Sequence, residues 1–405
     1  MPSSTVTVVG LGADGWPGLS ETSRRALSAA AVVIGGPRQL DLLPASVAAT
    51  RVPLPSPLQP ELDQLLTRYS NTAVAVLASG DPMFYGIGST LVRLLGPDRI
   101  TVLPHPSSVS LAAARLGWPL TDVDVVSAVG RPLALVQPVL QPGRRVLVLV
   151  SEPTAAAELR VLLQARGYGA SEITVLSDLG SELESIRPAD DQPHGRLSIL
   201  AVECVADPNA PLLPRTPGLP DDAYDQDGQI TKYEVRALAL AALAPIPGQL
   251  LWDVGAGSGS IGIEWLRCHP ANRAIAIEPR SDRLALIRVN ANTLGVPGLQ
   301  IVEGAAPGAL AGLPRPDAIF IGGGVTVSGV VDACWSALRP GGRLVANAVT
   351  IESEQTVIER HNRLGGSLTR IAIERAGALG GFTAWRPALP VVQWAIRKSE
   401  TELIA

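Results

Sequence analysis

Cysteine, histidine and lysine are all scarce in this sequence. Among 405 residues there are three cysteines and four histidines, and the lysines are Lys232 and Lys398. A few cysteines spread far apart do not make a disulfide framework and are typical of a reducing compartment. The spacing of histidine and cysteine fits no metal site, so we expect no bound metal. Arginine carries nearly all the positive charge, and its guanidinium is well suited to pair with carboxylates.

A charge surplus of one sign and long hydrophobic runs are missing as well. Lys plus Arg total 33 and Asp plus Glu total 37, for a net charge of -4, which argues against a nucleic-acid-binding protein. No apolar run approaches the roughly 18 residues that span a membrane, and the first residues do not have the pattern of a signal peptide. With 46% apolar residues, we expect a folded, cytoplasmic α/β protein.

A proline-rich stretch divides the chain. Prolines recur at 208, 211, 214, 217 and 220, and this spacing favours an extended strip over a helix or a central strand. We interpret residues 206–222 as a semi-rigid linker between a domain of residues 1–205 and a domain of residues 223–405. A long loop within one domain is the alternative.

Short β-rich runs alternate with helical patterns in both parts, which predicts α/β domains with mainly parallel sheets covered by helices. In the first part the predicted strands are Thr5–Val9, Ala31–Ile34, Thr72–Ala78, Arg99–Leu103, Arg145–Val150 and Leu197–Glu203, and the helices are Ser20–Ala30, Gly88–Leu95, Ser107–Leu116 and Thr154–Arg166. In the second part the predicted strands are Gln249–Val254, Arg273–Ile277, Leu299–Val302, Ala318–Ile321 and Arg343–Ala346, with helices at Lys232–Leu243 and near 260–268, 281–293, 328–338 and 352–363. The last two apolar runs, Leu368–Glu374 and Val391–Arg397, predict an antiparallel hairpin at the sheet edge.

Both parts contain the pattern G-x-G-x-x-G after a predicted strand, at Gly10–Gly15 and at Gly257–Gly262. Such glycines allow a tight turn and let a ligand approach backbone amides at a helix N-terminus. A nicotinamide site also needs an acidic residue at the end of the next strand. In the first part that strand ends in Gly35-Gly36-Pro37, which argues against such a site there.

The second loop does have this acidic residue, because Glu278 ends the next predicted strand. A carboxylate there suits the ribose hydroxyls of either NAD or S-adenosylmethionine (SAM). Asp253 lies two residues before Gly255, where a carboxylate would attract the ammonium group of SAM and repel a pyrophosphate. This favours SAM; the alternative is that Asp253 only caps the loop.

Longer motifs carry a resemblance to known families. The second part resembles the class I SAM-dependent methyltransferases, and more narrowly the decarboxylating methyltransferases of corrin biosynthesis. The first part resembles the tetrapyrrole methylases (class III), with two departures: Ala13-Asp14 replaces a frequent proline, and Ser127–Arg131 lacks an expected histidine. The motifs are Gln229–Arg236, Leu251–Ile261, Phe320–Gly324 and Gly341–Val349 in the second part, and Val9–Gly12, Gly35–Arg38, Ala78–Gly86 and Pro106–Ser108 in the first.

The resemblance covers nearly the whole chain and implies a tetrapyrrole methylase fold followed by a Rossmann-like class I methyltransferase fold. It implies a cytoplasmic homo-oligomeric enzyme with one SAM in each domain, a small tetrapyrrole as substrate, and neither a nucleic acid nor a membrane as partner. The first domain would methylate carbon 5, and the second would methylate carbon 15 and remove the ring C acetate carboxyl group. Two alternatives stay open: another methyl acceptor, such as RNA or a small metabolite, or a first domain that only binds tetrapyrrole.

Methyl transfer from SAM mainly requires that the protein align two ligands, so we predict no nucleophile–base pair. The resemblance also implies which residues form the sites. The implied cofactor contacts are Gly10, Gly12, Gly80, Asp81, Pro82, Ser107 and Ser108 in the first domain, and Thr231, Asp253, Gly255, Gly257, Gly259, Glu278, Gly304 and Ala305 in the second. The candidates for binding substrate are Arg38, Arg131, Lys232, Arg236 and Asn347. Several of these residues have a structural alternative. It is an Asp-Pro turn for Asp81, a helix cap for Ser107 and Ser108, a loop cap for Asn347, and ordinary surface charge for the cationic candidates.

Overall fold

The computed structural model of this protein describes residues 5–58, 60–190, 192–195 and 198–400. The chain forms two compact units. Unit 1 comprises Met1–Leu133 and Pro142–Ala210, and unit 2 comprises Ala134–Gln141 and Pro211–Ala405. The later division falls inside the predicted linker, whereas no composition signal marks the short segment 134–141. Among the helices of the described ranges, none has the length and apolar character to cross a membrane.

The first sheet of unit 1 is parallel, with strand order β3-β2-β4-β1-β5. Apolar side chains cover both of its faces, with Val8 and Val76 in one core and Val9 and Leu77 in the other. Because parallel strands end at the same edge, the loops after β1, β4 and β5 converge there. The elements are β1 (Val6–Leu11), α1 (Glu21–Ala29), β2 (Val32–Gly35), α2 (Pro37–Asp41), β3 (Thr50–Pro53), α3 (Glu61–Arg68), β4 (Val74–Ser79), α4 (Ile87–Leu95), β5 (Ile100–Leu103) and α5 (Ser108–Leu116).

A second, mixed sheet completes unit 1, in the order β6-β7-β10-β8-β9. Its strands are β6 (Val123–Ser127), β7 (Arg145–Val150), β8 (Glu172–Ser177), β9 (Ser185–Pro188) and β10 (Ser198–Glu203), and α6 (Ala155–Ala165) follows β7. The sequence predicts one mainly parallel sheet here, but β10 runs antiparallel to both β7 and β8. Buried apolar runs give no sign of strand direction, which explains the difference. Leu197, where the last predicted strand begins, lies outside the described residues.

Unit 2 is a seven-stranded sheet in the order β13-β12-β11-β14-β15-β19-β16. The strands β13, β12, β11, β14 and β15 are parallel to one another. At the edge, β19 runs antiparallel to both of its neighbours, β15 and β16. This arrangement confirms the predicted Rossmann-like α/β class with an antiparallel edge. The elements are α7 (Tyr233–Leu243), β11 (Leu250–Val254), α8 (Ser260–Cys268), β12 (Arg273–Glu278), α9 (Ser281–Thr293), β13 (Gln300–Glu303), β14 (Ala318–Ile321), α10 (Val330–Ala337), β15 (Arg343–Ala348), α11 (Ile351–Leu364), β16 (Ser367–Ile371), β17 (Glu374–Leu379), β18 (Phe382–Pro387) and β19 (Val391–Arg397).

The edge differs from prediction in one respect, because β16 and β19 are not joined by a simple turn. The chain between them forms β17 and β18, which pair with each other as a separate two-stranded sheet. Gly380-Gly381 joins these two strands. A Gly-Gly pair is a recognised hairpin signal, so the sequence did contain a marker for this feature.

The proline-rich stretch is not a free linker, because its second half packs into unit 2. Leu213 and Leu219 are buried in the unit 2 core. The backbone N–H groups of Gly218 and Leu219 donate to the Glu264 carboxylate at 2.6 and 3.1 Å. The segment is therefore held to helix α8.

Arg236 completes this cluster, and its side chain is fully buried. Its Nε donates to Glu264 Oε1 at 2.5 Å, and its Nη1 donates to Asp221 Oδ1 at 3.2 Å and to the carbonyl oxygen of Thr231. The guanidinium also lies 4.9 Å from the centre of the Tyr224 ring. These internal partners engage the guanidinium, so Arg236 has a structural role in place of the predicted role in substrate binding.

We expect Arg236→Met to lower the free energy of unfolding of unit 2 by about 3 to 5 kcal/mol, since removing one partner leaves a buried charge. Arg370→Met is the matched control, because Arg370 forms an exposed ion pair with Glu354 and should cost less than about 1 kcal/mol. Urea unfolding followed by tryptophan fluorescence measures both, since the fully buried Trp252, Trp265 and Trp394 all lie in unit 2. Equal losses in the two variants would contradict the central role of the Arg236 cluster.

Candidate active sites

Unit 2 contains a cavity of about 880 Å³ at the carboxyl ends of its parallel strands. All but one of the cofactor residues predicted for this unit line it, together with Lys232 and Asn347 from the substrate candidates. The exception is Gly259, the N-cap of α8, whose added Cβ would lie 3.0 Å from the Ile287 side chain. Gly259 therefore serves helix packing. The predicted residues that do line the cavity are Thr231, Asp253, Gly255, Gly257, Glu278, Gly304 and Ala305.

The floor of the cavity requires glycine, because two loops touch backbone to backbone. Gly255 has a φ of +69°, and a Cβ there would lie only 2.7 Å from the Gly323 nitrogen. The Gly322 N–H donates to the Val254 carbonyl oxygen at 2.9 Å, which joins the end of β14 to the end of β11. Any side chain at position 255 would force these loops apart and strain the backbone.

Asp253 caps the start of α8 and borders the cavity, while its contact with SAM stays a prediction. It is 1% exposed, and its Oδ2 accepts a hydrogen bond from the Gly262 N–H at 2.9 Å, which ties it to the first turns of α8. It also lines the cavity. Burial raises the pKa of Asp253 to about 7, and the nearby Glu278 charge adds to this while the Gly262 hydrogen bond opposes it. The charge of this carboxyl group is therefore sensitive to pH near neutrality.

Glu278 is a rigidly held acceptor at the end of β12 and is 2% exposed. Its Oε2 accepts from the Gly257 N–H at 2.8 Å, and its Oε1 accepts from the Arg280 N–H at 3.2 Å. Each carboxylate oxygen can accept a further hydrogen bond. The position and the chemistry both suit a pair of ribose hydroxyls.

The cations around the cavity each face a carboxylate. Lys232 lies 3.6 Å from Asp221, and Arg375 lies 2.5 Å from Glu234. Arg280 and Arg283 lie 3.6 and 2.9 Å from Asp227, and the Arg283 hydrogen bond holds the pKa of that carboxyl below its usual value. Sequence reasoning missed three of these cations. Arg280 and Arg283 come within five residues after Glu278, which is a usable signal, whereas Arg375 lies on the unpredicted β17.

Unit 1 has a second convergence of predicted residues, at the carboxyl edge of its parallel sheet. A Cβ at Gly10 would lie 2.2 Å from the Gly80 carbonyl oxygen and 2.6 Å from the His105 nitrogen. Gly80 has a φ of +59°, and a Cβ there would lie 3.1 Å from the Ser107 Cα. The loops after β1, β4 and β5 thus meet with no space for a side chain at Gly10.

Several residues at this edge make local hydrogen bonds of the kind expected for a turn or a helix cap. Asp81 Oδ1 accepts from the Met83 N–H at 2.8 Å, which forms a turn, and Ser107 Oγ accepts from the Ser110 N–H at 3.1 Å, which caps α5. Ser108 begins α5, and the Pro82 carbonyl oxygen accepts from the Gly88 N–H at 2.9 Å. These bonds fix the loops and leave a ligand role for Asp81 and Ser107 as a prediction.

Two features of this edge were missed from sequence. Asp14 Oδ2 lies 3.6 Å from His105 Nε2, and a Cβ at Gly12 would touch both side chains. Met83, Phe84 and Tyr85 are 47%, 40% and 51% exposed, an apolar rim that a soluble surface rarely presents without a ligand.

The arginines predicted for unit 1 follow strands of two different sheets. Arg38 lies in α2, after β2 of the first sheet, with its Nη2 at 3.8 Å from Asp178 Oδ1. Arg131 is exposed in the turn that follows β6. Their role toward a substrate stays a prediction.

Both halves of the chain match protein-family models. Residues 5–190 match the tetrapyrrole (corrin/porphyrin) methylases, and residues 222–398 match the precorrin methyltransferase domain. The resemblance inferred from the motifs is thereby confirmed for each half.

Relatives match over nearly the full length. A precorrin-6Y C(5,15)-methyltransferase [decarboxylating] from a Sinorhizobium species is 49% identical, with 98% of this chain and 97% of that protein covered. One of the same name from Mycobacterium tuberculosis (strain ATCC 25618 / H37Rv) is 45% identical, with 97% and 100% covered. The solved C-terminal domain of precorrin-6Y C5,15-methyltransferase from Rhodobacter capsulatus is 49% identical, with 46% of this chain and 100% of that chain covered and a TM-score of 0.44. By its full-length relatives, this chain belongs to the precorrin-6Y C5,15-methyltransferase (decarboxylating) family.

Proposed function

We propose that this enzyme methylates carbons 5 and 15 of precorrin-6Y (precorrin-6B) and removes the carboxyl group of the ring C acetate to give precorrin-8X, with one SAM bound in each unit. The full-length relatives carry both methylations and the decarboxylation in their names. The observation that carries the proposal is the unit 2 cavity, which brings together residues far apart in sequence that were predicted to contact SAM.

Unit 2 performs the methylation of carbon 15 and the decarboxylation, and unit 1 methylates carbon 5. A relative from Pyrobaculum calidifontis, named as a probable cobalt-precorrin-6B C(15)-methyltransferase (decarboxylating), is 34% identical over 183 residues, which are 93% of that protein. A protein about the size of unit 2 thus bears the carbon 15 and decarboxylating activities in its name. Carbon 5 is then left to the tetrapyrrole methylase half.

The residues of the unit 2 cavity suit an alignment reaction. When bound, SAM supplies an activated methyl group on a positively charged sulfur. Glu278 would bind the ribose hydroxyls, the backbone of Gly255 and Gly257 would pass close to the amino-acid tail, and Gly304-Ala305 would border the adenine. Ile371, Ile373 and Leu389 give the opposite wall an apolar surface that would hold the macrocycle and exclude water.

In unit 1 the tight loops at Gly10 and Gly80 would align SAM with the macrocycle, and Met83 and Phe84 supply an apolar rim for the macrocycle. The rival function for this unit is tetrapyrrole binding without methyl transfer, favoured by the departures at Ala13-Asp14 and Ser127–Arg131. The two functions differ in whether residues at this edge bind SAM.

A homo-oligomer in a reducing, cytoplasmic location belongs to the same proposal. The β17–β18 hairpin exposes Leu379, Phe382 and Trp385 at 60%, 82% and 70%, and apolar side chains clustered in this way are typical of protein interfaces. Cys268 and Cys334 are free thiols, as expected in a reducing compartment.

The affinity of unit 2 for SAM should rise from about pH 6 to about pH 8, because Asp253, with a pKa of about 7, gains the negative charge that attracts the SAM ammonium group. Asp253→Asn should bind SAM about tenfold more weakly at pH 8 and lose the pH dependence. Asp317→Asn is the matched control, since Asp317 also accepts a backbone hydrogen bond, from the Leu250 N–H at 2.8 Å. Titration calorimetry that finds Asp253→Asn equal to the wild type would leave Asp253 as a helix cap only.

The two sites can be removed one at a time. Gly10→Ala and Gly255→Ala each place a Cβ against backbone atoms, at 2.2 and 2.7 Å, and should each halve the number of SAM molecules bound per chain. Mass spectrometry should then find carbon 15 methylation with loss of CO₂ in the first variant, and carbon 5 methylation alone in the second. Gly298→Ala, where the added Cβ meets open space, is the control. A wild-type stoichiometry of one SAM per chain would favour the binding-only function for unit 1.

If the hairpin mediates oligomerisation, Phe382→Ser with Trp385→Ser should shift the protein to a smaller species in sedimentation velocity. Ile351→Ser is the control, because Ile351 is 83% exposed but lies on α11. A monomeric wild type, or a double variant of unchanged size, would refute this part of the proposal.

A further inference from the structure

Two amides face each other across neighbouring strands at the edge of the unit 2 cavity. Asn347, near the end of β15, is the direct antiparallel partner of Gln393 on β19. Directly opposed residues in such a pair lie on the same face of the sheet and interact through their side chains. Gln393 is 6% exposed, and its Nε2 donates to Asn347 Oδ1 at 3.2 Å.

This hydrogen bond fixes which end of the Asn347 amide is left to bind something else. With Oδ1 engaged by Gln393, the Nδ2 group is the remaining end, and it is buried with no hydrogen-bond partner in the part of the chain that is described. A buried donor without an acceptor is destabilising and is rare in native structures. Asn347 lines the cavity, so a bound ligand is the natural acceptor.

The ligands of the proposed reaction, taken with the paired cations around the cavity, indicate what kind of acceptor it is. Lys232, Arg280, Arg283 and Arg375 already lie within 4 Å of protein carboxylates, at 3.6, 3.6, 2.9 and 2.5 Å. An ionised carboxylate is an acceptor only, and a neutral amide N–H can orient it without neutralising its charge. Both ligands of the proposed reaction carry carboxylates.

We infer that Gln393 is a positioning residue that turns the Asn347 amide so that its Nδ2 donates a hydrogen bond to a carboxylate oxygen of the ligand in the unit 2 cavity. In the proposed function that ligand is the tetrapyrrole; the SAM amino-acid tail is the other source of the same chemistry. The identity of the tetrapyrrole rests on the proposed function, whereas the direction of the amide does not.

The test reverses the amide without removing it. In Gln393→Glu the new carboxylate accepts from Asn347 Nδ2, which turns Oδ1 toward the ligand and replaces attraction by repulsion. We expect the KM for the tetrapyrrole in carbon 15 methylation to rise about tenfold with a smaller change in kcat. Asn347→Asp should have a similar effect, and Thr369→Val should have none, because Thr369 is the other cross-strand neighbour of Gln393 and does not pair with Asn347.

A double-mutant cycle separates positioning from a general structural effect. In an Asn347→Leu background Gln393→Glu should change KM no further, whereas independent structural damage would add. S-adenosylhomocysteine binding, measured in a Gly10→Ala background so that only unit 2 contributes, distinguishes the sources: unchanged affinity assigns the carboxylate to the tetrapyrrole, and about tenfold weaker binding assigns it to the SAM tail.

The inference is overturned if folded Gln393→Glu changes neither KM nor this affinity. If Gln393→Glu does not fold, Gln393→Leu replaces it; about a threefold loss in either measurement supports the inference, and no loss overturns it. A wild type that fails to methylate carbon 15 would sink the proposed function. The S-adenosylhomocysteine arm would then stand alone, with weaker binding by Gln393→Glu supporting the direction of the amide and unchanged binding overturning it.

Discussion

The buried ion pair between Arg236 and Glu264 is the interaction on which the unit 2 site depends. Glu264 lies on α8, the helix that follows the glycine loop, and it holds the end of the proline-rich stretch through two backbone N–H groups. Arg236 in turn binds the carbonyl oxygen of Thr231 on the rim of the cavity. Buried ion pairs add little net stability but demand one geometry. The cluster therefore ties the rim of the cavity to the helix that follows the glycine loop.

The two units have different folds, but both form their candidate site where loops meet backbone to backbone. At Gly10 in unit 1 and at Gly255 in unit 2, loops from neighbouring strands approach so closely that no side chain fits between them. Sites made in this way present backbone amides, whose positions are fixed by the sheet. That suits a reaction in which the donor is already activated and the protein mainly aligns two ligands.

The sequence predicted most of the parallel strands, and most of the SAM contacts it predicted for unit 2 do line the cavity, because apolar periodicity and glycine spacing are local signals. It could not predict that Arg236 is buried and paired with Glu264, because the burial of an arginine depends on residues distant in sequence. Strands β3, β6, β8 and β9 were missed because the direction and pairing of short strands are set by tertiary contacts. Asn347 was recognised as a candidate from its place at the tip of the predicted strand Arg343–Ala346, but its orientation depends on Gln393, which only the strand pairing reveals.

The segment 134–141 has a consequence for how this protein can be divided. Unit 2 includes this segment, and Gly295 packs so tightly on it that an added Cβ would lie 2.5 Å from the Gln137 side chain. The polypeptide therefore passes between the units more than once. A cut at the proline-rich stretch would therefore leave residues 134–141 on the first fragment and remove them from Gly295 on the second.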